Sequence, residues 1–382
     1  MVNKEIPMIE RTLKGKIIEK LFRGKTIILI GARQVGKTTL IRAVLQGSEF
    51  LFLDGDDPLV RQRLTNPNTK EIETILGDSR IVFIDEAQRI ENIGITAKII
   101  HDQFKNVQLI VSGSSAFELR NYTNEPLTGR KFEYFLYPIS YREYEKSVGY
   151  LDALRDLENR LIYGYYPDVL NSRGEEREIL NEITQSYLFK DILSLGNIKK
   201  PEVLEKILRA LAFQVGSEVS YNEVAQLTGV DKNTVSSYIH LLELSYIVFP
   251  ITSFSRNLRN EIKTNRKIYF YDNGIRNAII QNFNPVGLRN DIGILWENFL
   301  MSERLKRNHY YKKYCITYFW RTRHQQEIDY VEESDGKITA FEFKWNPKAK
   351  VNIPAIFVNT YDAAVEVVTK ENFRKFVGAG EN

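Results

Sequence analysis

This 382-residue sequence predicts an α/β fold, a parallel sheet flanked by helices, and three apolar runs carry the prediction. The first, TIILIGARQVGKTTLIRAVL, starts as a strand at Ile27–Ile30, breaks at Gly31 and turns helical after Gly36-Lys37-Thr38. RIVFIDEAQ is a second strand, Ile81–Ile84, ending in Asp85-Glu86, and VQLIVSG is a third, ending in Ser112-Gly113-Ser114-Ser115. Helical, helix-turn-helix and mixed α/β stretches follow. The expected domains are 1–145, a helical linker or lid at 146–200, a winged-helix-like 201–270 and a mixed 271–382.

Composition excludes several classes. Hydrophobic content of 43% and charged content of 27% are those of an ordinary globular protein. The lone cysteine, Cys315, rules out an intrachain disulfide framework and fits a reducing, cytoplasmic setting. No apolar run approaches a membrane span, and the start, MVNKEIPMIERTLKGK, lacks the apolar core of a secretory signal. Net charge is +4, but residues 250–330 hold fourteen Arg/Lys against seven Asp/Glu, a local +7. Such a bias suits a polyanionic partner, and it also suits a merely solvated surface.

Gly31, Ala32, Arg33, Gln34, Val35, Gly36, Lys37, Thr38 and Thr39 form G-x-x-x-x-G-K-[ST] and its neighbour, between strand and helix as a phosphate-binding loop requires. Its glycines let backbone N–H groups face phosphates, and the helix N-terminus adds its dipole. Lys37 is expected on the β/γ-phosphates and the Thr38 hydroxyl on Mg²⁺, so ATP and Mg²⁺ are the expected cofactors. Asp85 would hold the Mg²⁺ shell and Glu86 would polarise the attacking water; the plainer alternative for such an acidic pair is a helix cap. Ser114, at the tip of the third strand, is a candidate γ-phosphate sensor or a simple turn residue. Arg130 in EPLTGRKFEYF is a candidate arginine finger, in cis or in trans, or an ordinary ion-pair partner.

GARQVGKTT, FIDEAQ, SGSS, LTGR and YPISYREY, in that order, resemble the prokaryotic AAA-type ATPases with an appended C-terminal domain of unknown function. The resemblance continues through YGYYPDVL, SYLFKDIL and KIYFYDNGIRNAI. It implies ATP binding and hydrolysis, supports the roles of Arg130 and Ser114, and specifies no biological task.

LDALRDLENRLIYG has apolar residues at helical spacing. Tyr163, Tyr165 and Tyr166 read as core aromatics beside a turn rather than as a binding patch. In SYNEVAQLTGVDKNTVSSYIHLLEL, Ser220 caps a short helix, Thr228-Gly229-Val230 turns, and a second helix spans Asp231 to Leu244. A winged helix is expected, with Arg256, Arg259, Lys263, Arg266 and Lys267 toward DNA phosphates. Lys232, Asn233, Thr234 and Ser237 would then face base edges. The same fold often serves protein contacts, and the second helix has little positive charge of its own.

The last stretch places Glu297 on a helix, Asp329 on a strand, a turn at Asp335-Gly336, and Glu342 with Lys344 on the returning strand FEFKW. This order resembles the restriction-endonuclease-like, or PD-(D/E)xK, fold. The one-residue gap sets Glu342 and Lys344 on one strand face, where Asp329 and Glu297 could complete a second Mg²⁺ site. A cross-strand ion pair of Lys344 with Asp329 or Glu327 is the plainer reading. Two functions follow: an ATPase driving a DNA-contacting C-terminal region, or a STAND-like nucleotide switch that assembles with a protein partner through a catalytically silent C-terminal domain. No membrane partner is expected; homo-oligomerisation stays open.

Overall fold

The computed structural model describes residues 8–114, 126–188, 200–254 and 266–380. They form two compact units, one of Glu10–Pro138 with Leu244–Tyr246, the other of the rest of the chain.

The first unit is built on β1 (Thr26–Ile30), β2 (Leu51–Asp54), β3 (Ile81–Asp85), β4 (Gln108–Gly113) and β5 (Lys131–Phe135). All pairings are parallel, in the order β2-β3-β4-β1-β5. Every residue of β1, β3 and β4 is buried, which explains their unbroken apolar runs: a parallel sheet covered on both faces needs no polar alternation. Helix α1 (Lys37–Val44) starts directly after the glycine-rich loop and buries Leu40, Ile41 and Val44 at helical spacing.

The second unit begins with helices, among them α2 (Tyr150–Tyr163), which buries Ala153, Leu157 and Leu161. A short strand, β6 (Glu218–Val219), leads into α3 (Tyr221–Thr228) and α4 (Lys232–Leu244). Ser220 caps α3 by accepting the Glu223 N–H, Gly229 ends that helix in the left-handed region, and Asp231 accepts the Asn233 and Thr234 N–H groups to cap α4. Next come β7 (Val248–Ser253), β8 (Arg266–Phe270), α5 (Asn273–Ile279), α6 (Ile292–Tyr310), β9 (Ile316–Arg321), β10 (Glu327–Ser334), β11 (Lys337–Phe343) and β12 (Val365–Val368). Asp335 and Gly336, both at positive φ, make the β10–β11 turn that the sequence signals.

The seven strands of this unit share one sheet, in the order β12-β11-β10-β9-β7-β8-β6. The stretches expected as separate winged-helix-like and restriction-endonuclease-like domains are therefore joined, through a parallel pairing of β7 with β9 at Thr252–Tyr318 and Ser253–Phe319. The expected wing residues Arg256, Arg259 and Lys263 and the end of SYLFKDIL lie outside the described residues.

Two of the sequence motifs lock into each other here. The buried Asp272 carboxylate caps α5 through the Gly274 and Ile275 N–H groups and also accepts the Tyr165 N–H at 2.7 Å. A Cβ on Gly164 would fall 1.9 Å from Asp272 Oδ1, so YGYYPDVL has to bring a glycine against YDNGIRNAI. Tyr165 and Tyr166 are core residues. Asp272→Ala leaves three buried N–H groups without an acceptor and should cost on the order of 3 kcal/mol or more. Urea unfolding followed by tryptophan fluorescence would measure it, and a loss below about 1 kcal/mol would contradict this account.

Candidate functional site

The carboxyl ends of β1, β3 and β4 meet at one edge of the five-stranded sheet, where open parallel sheets place ligands. After β1 the loop must pass so close to Leu136 that a Cβ on Gly31 would lie 2.2 Å from the Leu136 carbonyl oxygen. Arg11, buried before the first strand, donates from Nη1 to the Val35 carbonyl at 2.8 Å and from Nη2 to the Tyr137 carbonyl at 2.5 Å. It ties the loop at Val35 to the chain that leaves β5. Nothing in its local sequence signals this role. Lys37 Nζ lies across the loop and donates to the Gly31 and Ala32 carbonyls at 3.0 and 2.9 Å.

Asp85, at the end of β3, receives Thr38 Oγ1 on Oδ2 at 2.5 Å and the Ser112 hydroxyl on Oδ1. Glu86 follows with φ 45°, a conformation uncommon for a residue with a side chain, which directs it away from the strand. Its Oε2 accepts Gln88 Nε2 at 2.6 Å, and the same Nε2 donates to Ser114 Oγ at 2.9 Å. Ser114 N–H returns to Gln88 Oε1 at 3.3 Å, so Gln88 joins the expected base to the expected sensor. Sequence reading missed Gln88 and the role of Ser112. The one lies two residues past Glu86 in FIDEAQ, and the other shares the tip of β4 with Ser114.

These groups fit a nucleotide with Mg²⁺: a loop that admits only glycine at its first position, an ammonium across it, and a hydroxyl paired with a carboxylate, the oxygen donors a hard cation takes. Arg130 is not among them. Its carbonyl accepts the Thr26 N–H at the amino end of β1, about 16 Å of strand from Gly31, and its Nε pairs with Asp102 at 3.0 Å. In a parallel sheet, a residue that opens β5 lies at the end opposite the phosphate loop.

The C-terminal residues come together differently from expectation. Asp329 Oδ2 accepts the Phe343 N–H at 2.7 Å, which sets Asp329 beside Glu342 across the β10–β11 ladder. Glu342 Oε1 is taken by Lys344 Nζ at 2.7 Å, while its Oε2 is buried without a hydrogen bond. Glu297 Oε1 accepts Tyr269 OH at 2.6 Å and lies 3.4 Å from Lys267 Nζ. Burial, then the Glu297 and Glu342 carboxylates, push the Asp329 pKa well above the usual range, against the pull of Lys267 and the Phe343 N–H. Lys344 is held raised by Glu342, with Asp329 and Glu297 adding, although burial alone would lower it. Among the described residues no three His, Cys, Asp or Glu side chains are grouped to hold a metal ion. Glu297, Asp329 and Glu342 do not fit a metal site as arranged, because lysines hold two of the three carboxylates.

The basic region is also more internal than its net charge suggests. Lys267, Arg276, Arg289, Arg304 and Lys306 are buried in ion pairs with acids of the same unit. Lys267 therefore cannot meet DNA phosphates, and the Thr234 hydroxyl is committed to Asp231 at 2.6 Å. Lys232, Asn233, Ser236, Ser237 and His240 are exposed on α4, and Arg266 is exposed at the start of β8.

The sequence matches an AAA domain profile over residues 23–145, and two profiles described as domains of unknown function, DUF8612 over 154–286 and DUF4143 over 292–377. An uncharacterized protein of Mycobacterium tuberculosis is 24% identical over 365 residues, 94% of this chain and 77% of the relative. One of Methanocaldococcus jannaschii is 23% identical over 326 residues, 72% of this chain and 67% of its own. Among solved structures, the Walker-type ATPase PABY2304 of Pyrococcus abyssi aligns with TM-score 0.49 and 14% identity, over 73% of this chain and 99% of that one. A STAND protein with a tetratricopeptide repeat sensor from Pyrococcus horikoshii aligns with TM-score 0.28 and 12% identity, over 78% and 46%. The AAA profile and the residue geometry agree on a P-loop ATPase fold for the first unit. No helix among the described residues is long and apolar enough to cross a membrane.

Arg11→Met removes the charge-assisted hydrogen bond to the loop at Val35 and its anchor at Tyr137, and nucleotide affinity should fall about tenfold, some 1.4 kcal/mol. Titration with a fluorescent ATP analogue reads it; unchanged affinity would mean that the loop holds its shape unaided.

Proposed function

We propose that this chain is a Mg²⁺-dependent ATPase that couples nucleotide binding and hydrolysis to a DNA-contacting C-terminal unit. One observation carries the ATPase reading: the Thr38–Asp85–Ser112 cluster and the Glu86–Gln88–Ser114 cluster lie side by side at the phosphate-loop edge of the sheet. The N–H groups of Gly31–Thr39 and the Lys37 ammonium bind the phosphates, for which Lys37 leaves the loop carbonyls. Thr38 and Asp85 would hold Mg²⁺, which when bound supplies charge neutralisation at the phosphate oxygens. Glu86 orients and polarises the attacking water, and Gln88 and Ser114 fix where its carboxylate points. Arg130, half-exposed and a strand length away, acts on a γ-phosphate of another copy, in trans.

DNA contact rests on the order β6, α3, α4, β7, β8, with β8 paired antiparallel to both β7 and β6. That order is the winged-helix arrangement, and the solvent face of α4 is polar along Lys232, Asn233, Ser236, Ser237 and His240. Glu297 on a helix followed by Asp329 and Glu342-x-Lys344 on paired strands supports a restriction-endonuclease-like ancestry for the remainder. The lysine pairing speaks against strand cleavage. A second reading, a STAND-like switch that docks a protein, is favoured by the low charge of the α4 face, where Lys232 is the one exposed Lys or Arg on the helix.

ATP turnover measured with and without duplex DNA separates the two: stimulation supports the first, and no stimulation together with no gel shift sinks it. Lys37→Ala should abolish nucleotide binding or turnover. Glu86→Gln should retain binding and lose hydrolysis by about a hundredfold or more, and lost binding would contradict its assignment as the base. Arg130→Ala should slow turnover in a manner that depends on protein concentration; a concentration-independent loss would contradict action between copies.

A further inference from the structure

In the second unit an ammonium stands among the carboxylates. Lys267 comes from β8, Glu297 from α6, and Glu327 and Asp329 from β10. The Lys267 side chain is 1% exposed; its Nζ bonds Glu327 Oε1, lies 3.4 Å from Glu297 Oε1 and sits 5.2 Å from the Phe319 ring centroid. Tyr269, two residues along the same face of β8, donates to Glu297. Arg321 Nε approaches the other oxygen of Glu327 at 3.6 Å, and Glu342 is served separately by Lys344.

Half-buried carboxylates from two elements repel one another, and a cation between them offsets that repulsion. In the metal-dependent reading of this constellation that cation is divalent. We infer that Lys267 is the resident cation of the cluster, standing in the electrostatic place of a divalent ion, so that this unit assembles without metal and β8 is clamped to α6 and β10 by charge. Three observations meet on this. Lys267 is nearly inaccessible, its donors go to acids from two elements, and the third metal-type carboxylate, Glu342, has a lysine of its own. Glu297, Glu327 and Asp329 also hold the Lys267 pKa raised although burial alone would lower it, so the ammonium keeps its charge.

All three tryptophans, Trp296, Trp320 and Trp345, belong to this unit, so fluorescence-detected melting of the full-length, nucleotide-free protein reads it without signal from the ATPase unit. Wild type should melt within about 2 °C of the same temperature in EDTA and in millimolar Mn²⁺. Lys267→Met should melt lower in EDTA and regain about 5 °C or more with Mn²⁺, as the ion takes the vacated role. Lys267→Arg, which keeps the charge, should show no such response. The inference is overturned if wild type itself depends on Mn²⁺, or if Lys267→Met responds no more than wild type. Where Lys267→Met does not fold at all, adding Glu297→Gln and Glu327→Gln removes the charge imbalance and should restore folding without metal. Failure of that triple variant would assign Lys267 to packing and overturn the inference.

Discussion

Each oxygen of Asp85 accepts a hydroxyl, one from the helix that follows the phosphate loop and one from β4. Because β4 lies between β3 and β1, the carboxylate ties the carboxyl ends of three adjacent strands to α1. A small hydroxyl at 112 lets it bridge across the intervening strand. Glu86 next to it takes the left-handed backbone that points it toward Gln88, a conformation that persists only where its surroundings hold it. Asp85 therefore holds together the start of α1, the end of β4 and, through the Glu86 N–H, the turn that follows β3.

Legibility in the sequence followed how local each job is. Gly31, Gly36, Lys37, Thr38, Asp85 and Glu86 lie at one edge of the sheet, a placement that strand–loop–helix order and short spacing make legible. Arg11 was invisible, since its partners are the carbonyls of Val35 and Tyr137, remote in the chain. Arg130 was legible as a candidate, but not which copy it faces: parallel strands put all their amino ends on the far edge, so a residue opening β5 lies away from the loop that closes β1. Lys267 looked like a wing cation because charge does not report burial. Strand alternation, which sets it beside Tyr269 on one face, was the signal available.

The motifs that run the length of the chain have two kinds of work. Those between residues 31 and 114 gather at the carboxyl ends of the parallel strands. YGYYPDVL and YDNGIRNAI, by contrast, face each other, glycine against carboxylate, and Asp272 is buried between them. Arg276 and Arg289 share Asp291 behind them, a buried network whose parts leave costly unpaired charge if removed singly. Sequence patterns of this sort mark where a backbone passes close to another as readily as where chemistry happens.

The pairing of β7 with β9 has a kinetic consequence. Among the described residues it is the sole strand contact joining the two halves of the seven-stranded sheet, it is parallel, and its partners are far apart along the chain. Closing such a loop is entropically slow. Until β9 arrives, the β7 edge at Thr252 and Ser253 has no strand beside it. As the polypeptide leaves the ribosome, the helix pair and its strands must wait for residues well beyond them before that edge is covered. The chain order thus lets the helix pair form before the edge beside it is covered.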